Sequence, residues 1–208
     1  VELQKEFGYT FAHPYNDDYV MAGQGTIGLE IMEQAPDADC VIIPIGGGGI
    51  AAGIAYAIKN IKPECTVIGV QADEASAMVN SIRSGVLGTT ATANTIADGC
   101  AVKAPGDKTF AVCKEYLDDV VSVSEEAIAI AMLALAEKGK VVAEGAGAMP
   151  TAAVMSGKVD ASKFKKIVCM VSGGNVDIGM QQKLFTKALT ATGRMAEIST
   201  EVSDKAGN

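Results

Sequence analysis

The amino-acid sequence predicts an α/β fold, in which a doubly wound parallel sheet carries helices on both faces. Four short apolar runs predict the strands, at residues 40–45 (CVIIPI), 66–71 (TVIGVQ), 119–124 (DVVSVS) and 166–172 (KIVCMVS). These runs are apolar and rich in β-branched residues, so we expect the strands to be buried on both faces. Helical patterns separate them, and alternating strands and helices are typical of parallel βαβ units.

The helices are predicted near residues 24–34, 50–61, 74–84, 107–117, 125–138, 146–156 and 178–190. The best-defined start is Ser124, whose side chain is expected to cap the helix that follows. Glu125 and Glu126 then occupy the first turn, where the helix dipole favours negative charge. Gly139 is predicted to end this helix.

Composition limits the classes of function. The chain has 208 residues, of which 49% are hydrophobic, enough for one full domain with a core. Its net charge of −8 and its lack of a Lys/Arg cluster argue against nucleic acid or an anionic membrane as partner. No apolar stretch reaches the roughly 18 residues that span a bilayer, and no signal peptide is recognised. We therefore expect a soluble, cytoplasmic protein.

The five cysteines show no CxxC spacing, and most lie inside apolar runs. Reduced, buried thiols are favoured over a disulfide framework or a zinc site. The residues concerned are Cys40, Cys65, Cys100, Cys113 and Cys169.

The end of the chain changes in character. Residues 195–202 alternate polar and apolar side chains, which predicts an amphipathic strand, and 203–208 (SDKAGN) are typical of a turn. A strand without a partner is not stable alone. We therefore divide the chain into a main unit, residues 1–190, and the beginning of a further unit, residues 191–208.

Four consecutive glycines separate the first predicted strand from a helix: Gly46, Gly47, Gly48 and Gly49. Ligands bind beyond the carboxyl ends of parallel strands, and first-turn amides of a helix suit a phosphate. A Walker loop is excluded because Ile50 follows Gly49 where a lysine is required, and the dinucleotide pattern Gly46-x-Gly48-x-x-Ala51 is a weak match. Anion binding is favoured, while a purely structural turn stays open.

Two further turns follow the same pattern. Residues 169–177 (CMVSGGNVD) place Ser172 at the end of the last predicted strand, and residues 142–150 (VAEGAGAMP) contain Glu144. Three small-residue turns at strand ends predict one cleft for a flat, phosphorylated ligand.

Six motifs together resemble those of threonine dehydratase (threonine ammonia-lyase), a fold-type II pyridoxal-phosphate family that includes serine racemase and serine dehydratase. They are YVMAGQGTIGLEIMEQ, VIIPIGGGGIAAGIA, TVIGVQADEASAM, TIADGCAVKAPGDKTF, VVAEGAGA and VCMVSGGNVD. They occur in the family's order over residues 1 to about 190, and as a set they are highly specific.

The resemblance implies pyridoxal 5'-phosphate as cofactor, with its phosphate on residues 46–49, its pyridine nitrogen on Ser172 and Glu144 lining the pocket. It implies β-elimination of water from L-threonine, and from L-serine, to give a 2-oxo acid and ammonia. A neutral Ser172 does not force protonation of the ring nitrogen, which favours elimination over transamination.

Two motifs of the family are missing from the sequence: the Ser-x-Lys-x-Arg-Gly-Ala motif of the Schiff-base lysine and the Ser-Ser-Gly-Asn-His loop for the substrate carboxylate. No catalytic residue is therefore assigned, and Lys59, Lys62 and Lys140 are expected to be surface cations. The resemblance predicts the C-terminal part of a catalytic region, inactive alone, ending at the first strand of an ACT domain. The parent enzyme is expected to be a homo-oligomer, a dimer or tetramer.

Two alternatives remain. Serine racemase or another hydroxy-amino-acid ammonia-lyase is one, although Gln71 replaces the acidic residue with which racemase relatives hold a divalent cation, so no metal is predicted. A non-catalytic phosphate- or dinucleotide-binding module is the other. His13 is expected to serve loop structure, and Asp17 and Asp18 a turn and helix cap.

Overall fold

Four strands pair into one sheet in a computed structural model that describes residues 2–200. They are β1 (Cys40–Pro44), β2 (Thr66–Ala72), β3 (Asp119–Val123) and β4 (Ile167–Cys169), in the spatial order β3-β2-β1-β4. Each neighbouring pair is parallel, with Cys40 opposite Thr66 and Ile167, and Ile68 opposite Asp119. The predicted fold class and the positions of the four strands are confirmed.

Helices flank each strand, and apart from the start of α2 the predicted ones begin and end within four residues of their predicted bounds. They are α1 (Glu2–Phe7), α2 (Asp18–Gln34), α3 (Gly49–Ile61), α4 (Ala77–Ser84), α5 (Asp107–Tyr116), α6 (Glu125–Ala134), α7 (Gly145–Met155) and α8 (Ile178–Ala191). Helix α1 was not predicted. Helix α2 begins at Asp18 rather than near residue 24, because the Asp17 side chain accepts the amide protons of Tyr19 and Val20 and caps it there, as expected of that residue.

Alternate residues of β1 contribute to two separate cores. Val41 and Ile43 pack with apolar residues of α2, α3, α4 and α5. Cys40 and Ile42 pack with residues of α6, α7 and α8 on the opposite face. Since successive side chains of a strand point to opposite faces, this alternation places helices on both sides of the sheet, as predicted.

Strand β4 differs from the prediction. It is only three residues long and half-buried throughout, whereas β1 is buried at every position. Within residues 2–200, β4 pairs only with β1 and forms an edge of the sheet. An edge strand has fewer neighbours on either face, so the apolar run at 166–172 is neither fully buried nor fully extended.

The end of α6 also differs from the prediction. Ser124 caps the helix as expected, by accepting the amide proton of Ala127 at 3.2 Å. The helix then widens into a π-turn over Leu135–Gly139, and the left-handed residue is Lys140, with φ 57°, rather than Gly139. A π-turn includes one more residue than an α-turn, which moves the end of the helix along the chain.

The expected strand near the end of the chain is not formed over residues 195–200, which have no regular structure. Its last positions and the 203–208 turn lie outside the described residues. All five cysteines are free. Four are buried as predicted, whereas Cys169 is half-buried because it lies in the edge strand β4. Among residues 2–200, no helix is both long and apolar enough to cross a membrane.

Candidate functional site

The three small-residue turns meet at the carboxyl edge of the sheet and enclose a cavity of about 280 Å³. Residues 46–49, Glu144 and Ser172 all line it, so the structure brings every predicted site residue together. Its other lining residues are Pro14, Tyr15, Gln24, Pro44, Ile50, Gly99, Cys100, Val102 and Ala146. A larger groove of about 460 Å³ between α2 and α3 is lined mainly by apolar side chains and holds none of the predicted site residues.

The glycine loop, residues 46–49, presents backbone amides without acceptors. The first amide of α3 with a backbone acceptor is that of Ala52, which donates to Gly48 at 2.8 Å. Within residues 2–200, the six amides from residue 46 to residue 51 donate to no protein group. Adjacent free amides at a helix N-terminus form an anion-binding concavity.

The loop needs glycine because neighbouring side chains fill the space around it. A Cβ atom on Gly47 would overlap the ring of Tyr15. Gly48 has a left-handed φ of 100°, and a Cβ there would lie 2.7 Å from Met78 Cε and 2.8 Å from Thr109 Cβ. Close packing within the protein therefore explains these two glycines.

Tyr15 forms a wall of the cavity that sequence reasoning missed. His13 Nδ1 accepts the amide protons of Tyr15 and Asn16 at 3.3 and 3.0 Å, which shapes the turn before α2. The Tyr15 hydroxyl donates to the Ala104 carbonyl at 3.0 Å. His13 thus serves loop structure, as predicted. The Pro-Tyr pair after a lone histidine was the only signal in the sequence for this wall.

Glu144 connects two of the turns. Its amide donates to the Gly173 carbonyl at 3.1 Å, and its carboxylate accepts the Asn175 amide proton at 3.0 Å. A Cβ on Gly173 would lie 2.5 Å from Glu144 Oε1, so a side chain there would displace the carboxylate from this position. Ser172, on the same turn, lines the cavity, and its hydroxyl bonds to no group within residues 2–200.

Cys100 lines the cavity beside Gly46, where a Cβ would lie 3.2 Å from Cys100 Cα. Burial raises the pKa of this thiol to about 12, and the nearby carboxylates of Glu144 and Asp98 contribute to the increase. Because the thiolate is the reactive form, Cys100 is inert at neutral pH and serves as an apolar wall.

No lysine or arginine lines the cavity in the described part of the chain. Lys59 pairs with Asp118 at 2.7 Å, and Lys62 donates to the carbonyls of Pro36 and Ala38. Lys140 donates to the Glu137 carbonyl. All three lysines lie away from the site. Lys140 is an exposed cation as predicted, whereas the Lys59 side chain is only 15% exposed because it pairs with Asp118.

The carboxyl edge of this α/β sheet combines acceptor-free amides with a neutral hydroxyl, an arrangement that suits a phosphorylated ligand. The chain belongs to the pyridoxal-phosphate dependent enzyme family, whose model matches residues 1–173. The family inferred from the motifs is therefore confirmed.

Relatives and solved structures agree with this assignment. The L-threonine ammonia-lyase of Thermotoga maritima is 48% identical over 207 residues, which cover 100% of this chain and 51% of that protein. The crystal structure of a T.th. threonine deaminase matches with a TM-score of 0.81 and 37% identity, over 86% of this chain and 66% of that chain. Maize serine racemase matches with a TM-score of 0.83 and 37% identity, over 92% and 59%. The chain spans about half the length of the curated relatives it matches.

Proposed function

We propose that this chain supplies the cofactor site of a pyridoxal-phosphate-dependent threonine ammonia-lyase. The observation that carries the proposal is the row of acceptor-free amides at residues 46–50, which line a cavity that also contains Ser172. A phosphate group accepts hydrogen bonds from adjacent amides at a helix N-terminus and needs no cationic side chain there. The residues present therefore fit this cofactor, with residues 46–49 toward the phosphate and Ser172 toward the ring nitrogen.

When bound, pyridoxal phosphate supplies the electron withdrawal that makes the α-proton of an amino acid removable. Ser172 offers the ring nitrogen a neutral hydroxyl rather than a carboxylate, so it does not hold a proton on that nitrogen. This moderates the electron withdrawal and favours loss of the β-hydroxyl over transamination. Glu144 orders the 172–175 turn that positions Ser172, through the Asn175 amide.

The proposed reaction converts L-threonine to 2-oxobutanoate and ammonia, and L-serine to pyruvate and ammonia. The names of the relatives support it: L-threonine ammonia-lyase and threonine deaminase. The lysine that removes the α-proton is proposed to come from the part of the relatives' length that this chain does not span, since no lysine lines the cavity within residues 2–200.

The remaining organisation is also a proposal. Residues 1–190 would form the C-terminal part of the catalytic region, and 191–208 the linker and first strand of an ACT domain. The similarity to the Thermotoga maritima relative covers 100% of the chain, which supports placing residues 191–208 in the same protein as the catalytic region. We further propose that the parent enzyme is cytoplasmic and forms a homo-oligomer. Light scattering on the longer protein would test its oligomeric state.

The cofactor proposal is tested by titrating the chain with pyridoxal phosphate, followed by cofactor fluorescence. We expect reversible binding that inorganic phosphate displaces, weaker binding of pyridoxal, and no 2-oxobutanoate from L-threonine. Absence of binding would overturn the phosphate assignment. Sustained 2-oxobutanoate production would show that a base is present in this chain. In the longer enzyme, a D-amino acid product would favour racemase instead.

A further inference from the structure

The few buried polar side chains of the protein are concentrated behind the glycine loop. Within residues 2–200, the buried polar side chains are Gln71, Ser81 and Thr109. Burying such a group is unfavourable unless it is hydrogen-bonded, so its partners indicate its role. Two of the three, Gln71 and Thr109, bond to carbonyls at the glycine loop.

Gln71, in β2, lies behind the start of the loop and is fully buried. Its Nε2 donates to the carbonyl oxygens of Ile45 and Gly46 at 3.3 and 3.4 Å. Its Oε1 accepts the amide proton of Val79, in α4, at 2.9 Å. The side-chain amide of Gln71 therefore connects two elements: its donor contacts the start of the loop, and its acceptor contacts α4.

Thr109, in α5, lies behind the next peptide and is also fully buried. Its hydroxyl proton is directed mainly to the Gly47 carbonyl, at 2.7 Å, with the Gly106 carbonyl at 3.1 Å. The Gly47 carbonyl also accepts the amide proton of Gly106 at the longer distance of 3.4 Å. The Gly48 carbonyl is engaged separately, by the Ala52 amide at 2.8 Å. All four carbonyls from residue 45 to residue 48 thus have donors on the protein side.

The direction of these carbonyls decides the direction of the free amides. A trans peptide points its C=O and its N–H to opposite sides, and no peptide bond in the described chain is cis. Fixing the carbonyls of residues 45–47 toward the interior therefore turns the amides of residues 46–48 toward the cavity. Glycine peptides rotate easily, so without this support the loop could present carbonyl oxygens, which repel phosphate.

We propose that Gln71 and Thr109, the backing pair, are positioning residues that orient the glycine-loop amides toward the cofactor phosphate. Neither residue lines the cavity, so both act through the loop backbone. The inference rests on the proposed function for the identity of the anion, whereas the orientation of the loop can be measured without any ligand.

The first experiment compares Thr109→Val with Thr109→Ser in the full chain. Valine has nearly the shape of threonine but no hydroxyl, whereas serine keeps the hydroxyl. Losing one such hydrogen bond should weaken pyridoxal phosphate binding about tenfold in Thr109→Val. Binding of pyridoxal, which has no phosphate, should be unchanged. Thr109→Ser should restore most of the affinity.

The second experiment uses the pH profile of Gln71→Glu. The ionised carboxylate has no donor and faces the carbonyl oxygens of Ile45 and Gly46, so the loop loses its support. The protonated carboxyl regains one O–H donor. Relative to wild type at the same pH, the affinity of Gln71→Glu for pyridoxal phosphate should therefore recover as pH falls. A merely structural loss would weaken the binding of pyridoxal as much as that of pyridoxal phosphate at each pH.

Ser81→Ala is the matched control, since the Ser81 hydroxyl is buried but donates to the Ala77 carbonyl at 2.7 Å, away from the loop. It should lower Tm and leave pyridoxal phosphate affinity unchanged. Amide NMR shifts of residues 46–49 are recorded in every unliganded variant. Normal affinity and unchanged shifts in Thr109→Val and Gln71→Glu would overturn the inference. A further outcome is that the wild type binds no pyridoxal phosphate but the loop amides shift in the two variants. This result would uphold the inference about loop orientation and overturn the proposed function instead.

Discussion

Gly47 combines two constraints that belong to a single residue. Its carbonyl accepts the Thr109 hydroxyl behind the loop, and the Tyr15 ring occupies the space that a Cβ would need. Its amide is one of the free donors on the cavity. A side chain here would displace Tyr15, and a negatively charged one would also repel a phosphate.

We predict that Gly47→Asp abolishes pyridoxal phosphate binding and that Gly47→Asn weakens it less, because only aspartate adds charge at the anion site. Fluorescence titration measures both. Gly23→Asp is the control. Gly23 is an exposed residue of α2 with open space at its Cβ, so this variant should bind pyridoxal phosphate normally. Wild-type affinity in Gly47→Asp would show that the phosphate binds elsewhere.

The contact between Gly47 and Tyr15 should appear as an interaction energy. We predict that Gly47→Ala lowers Tm in the wild-type background and costs less in a Tyr15→Ala background, where the clashing ring is absent. A double-mutant cycle on Tm and on urea unfolding isolates this coupling. Additive effects of the two substitutions would contradict the packing explanation for this glycine.

At the scale of elements, Asn16 connects the turn before α2 to the start of α5. Its Nδ2 donates to Asp107 Oδ1 at 2.7 Å, and its Oδ1 accepts the Lys108 amide proton at 3.0 Å. Lys108 also pairs with Asp18 at 2.9 Å. The Asn16 donor and the Lys108 amide lower the pKa of Asp107. Asn16 follows Tyr15 and Asp107 lies two residues before Thr109, so this connection joins the two segments that contact Gly47.

We predict that Asn16→Asp destabilises the protein, because it replaces the donor to Asp107 with a second carboxylate. Loss of one good hydrogen bond in a chain of this length should lower Tm by about 2–4 °C at neutral pH. A depressed carboxyl pKa stabilises above the unfolded pKa, and this stabilisation is lost as pH falls through the folded pKa. The pKa of Asp107, followed by NMR, should therefore rise in the variant, and the Tm difference should shrink in acid. An unchanged Asp107 pKa would contradict this.

Most elements could be predicted because their signals are local. The strands and α6 follow from runs of apolar residues and from the Ser124 cap. The extent of β4 could not be predicted, since burial of the apolar run at 166–172 depends on the strands beside it rather than on its own residues. The left-handed Lys140 follows from a π-turn, for which the sequence has no established signal.

At the scale of the whole molecule, the parallel sheet brings distant turns to one edge. Residues 46–49 and Ser172 were predictable because each lies in a recognisable strand-to-helix turn. The turn that contains Glu144 was predicted to follow a strand as well, but it connects the π-turn after α6 to α7, so only its small residues marked it. Tyr15 and the backing pair were not predictable. Thr109, for example, hydrogen-bonds to Gly47, which lies 62 positions away in the sequence. No local pattern specifies such a pair, and only the packed fold shows which polar side chains stand behind the loop.

The two cores also bury reduced thiols throughout the molecule. Burial raises the pKa of Cys40, Cys100 and Cys113 to about 12 and that of Cys169 to about 11, from an ordinary value of 9.0. A raised thiol pKa gives stability that is complete below the unfolded pKa and is lost as pH rises through the folded pKa. Between about pH 9 and pH 12, unfolding therefore releases protons from thiols on both faces of the sheet.

We predict that the free energy of unfolding falls in this range by about 1.4 kcal/mol per pH unit for each thiol that ionises only when unfolded. Cys113→Ala removes one such group, so its cost in stability should shrink as pH rises. Val41→Ala, at another fully buried position, should cost the same at every pH. Urea unfolding under reducing conditions between about pH 8 and pH 10.5 measures both differences, and lysine and tyrosine ionisation cancels in each. An equal cost of Cys113→Ala at both ends of that range would mean that this thiol ionises as readily in the folded protein as in the unfolded chain.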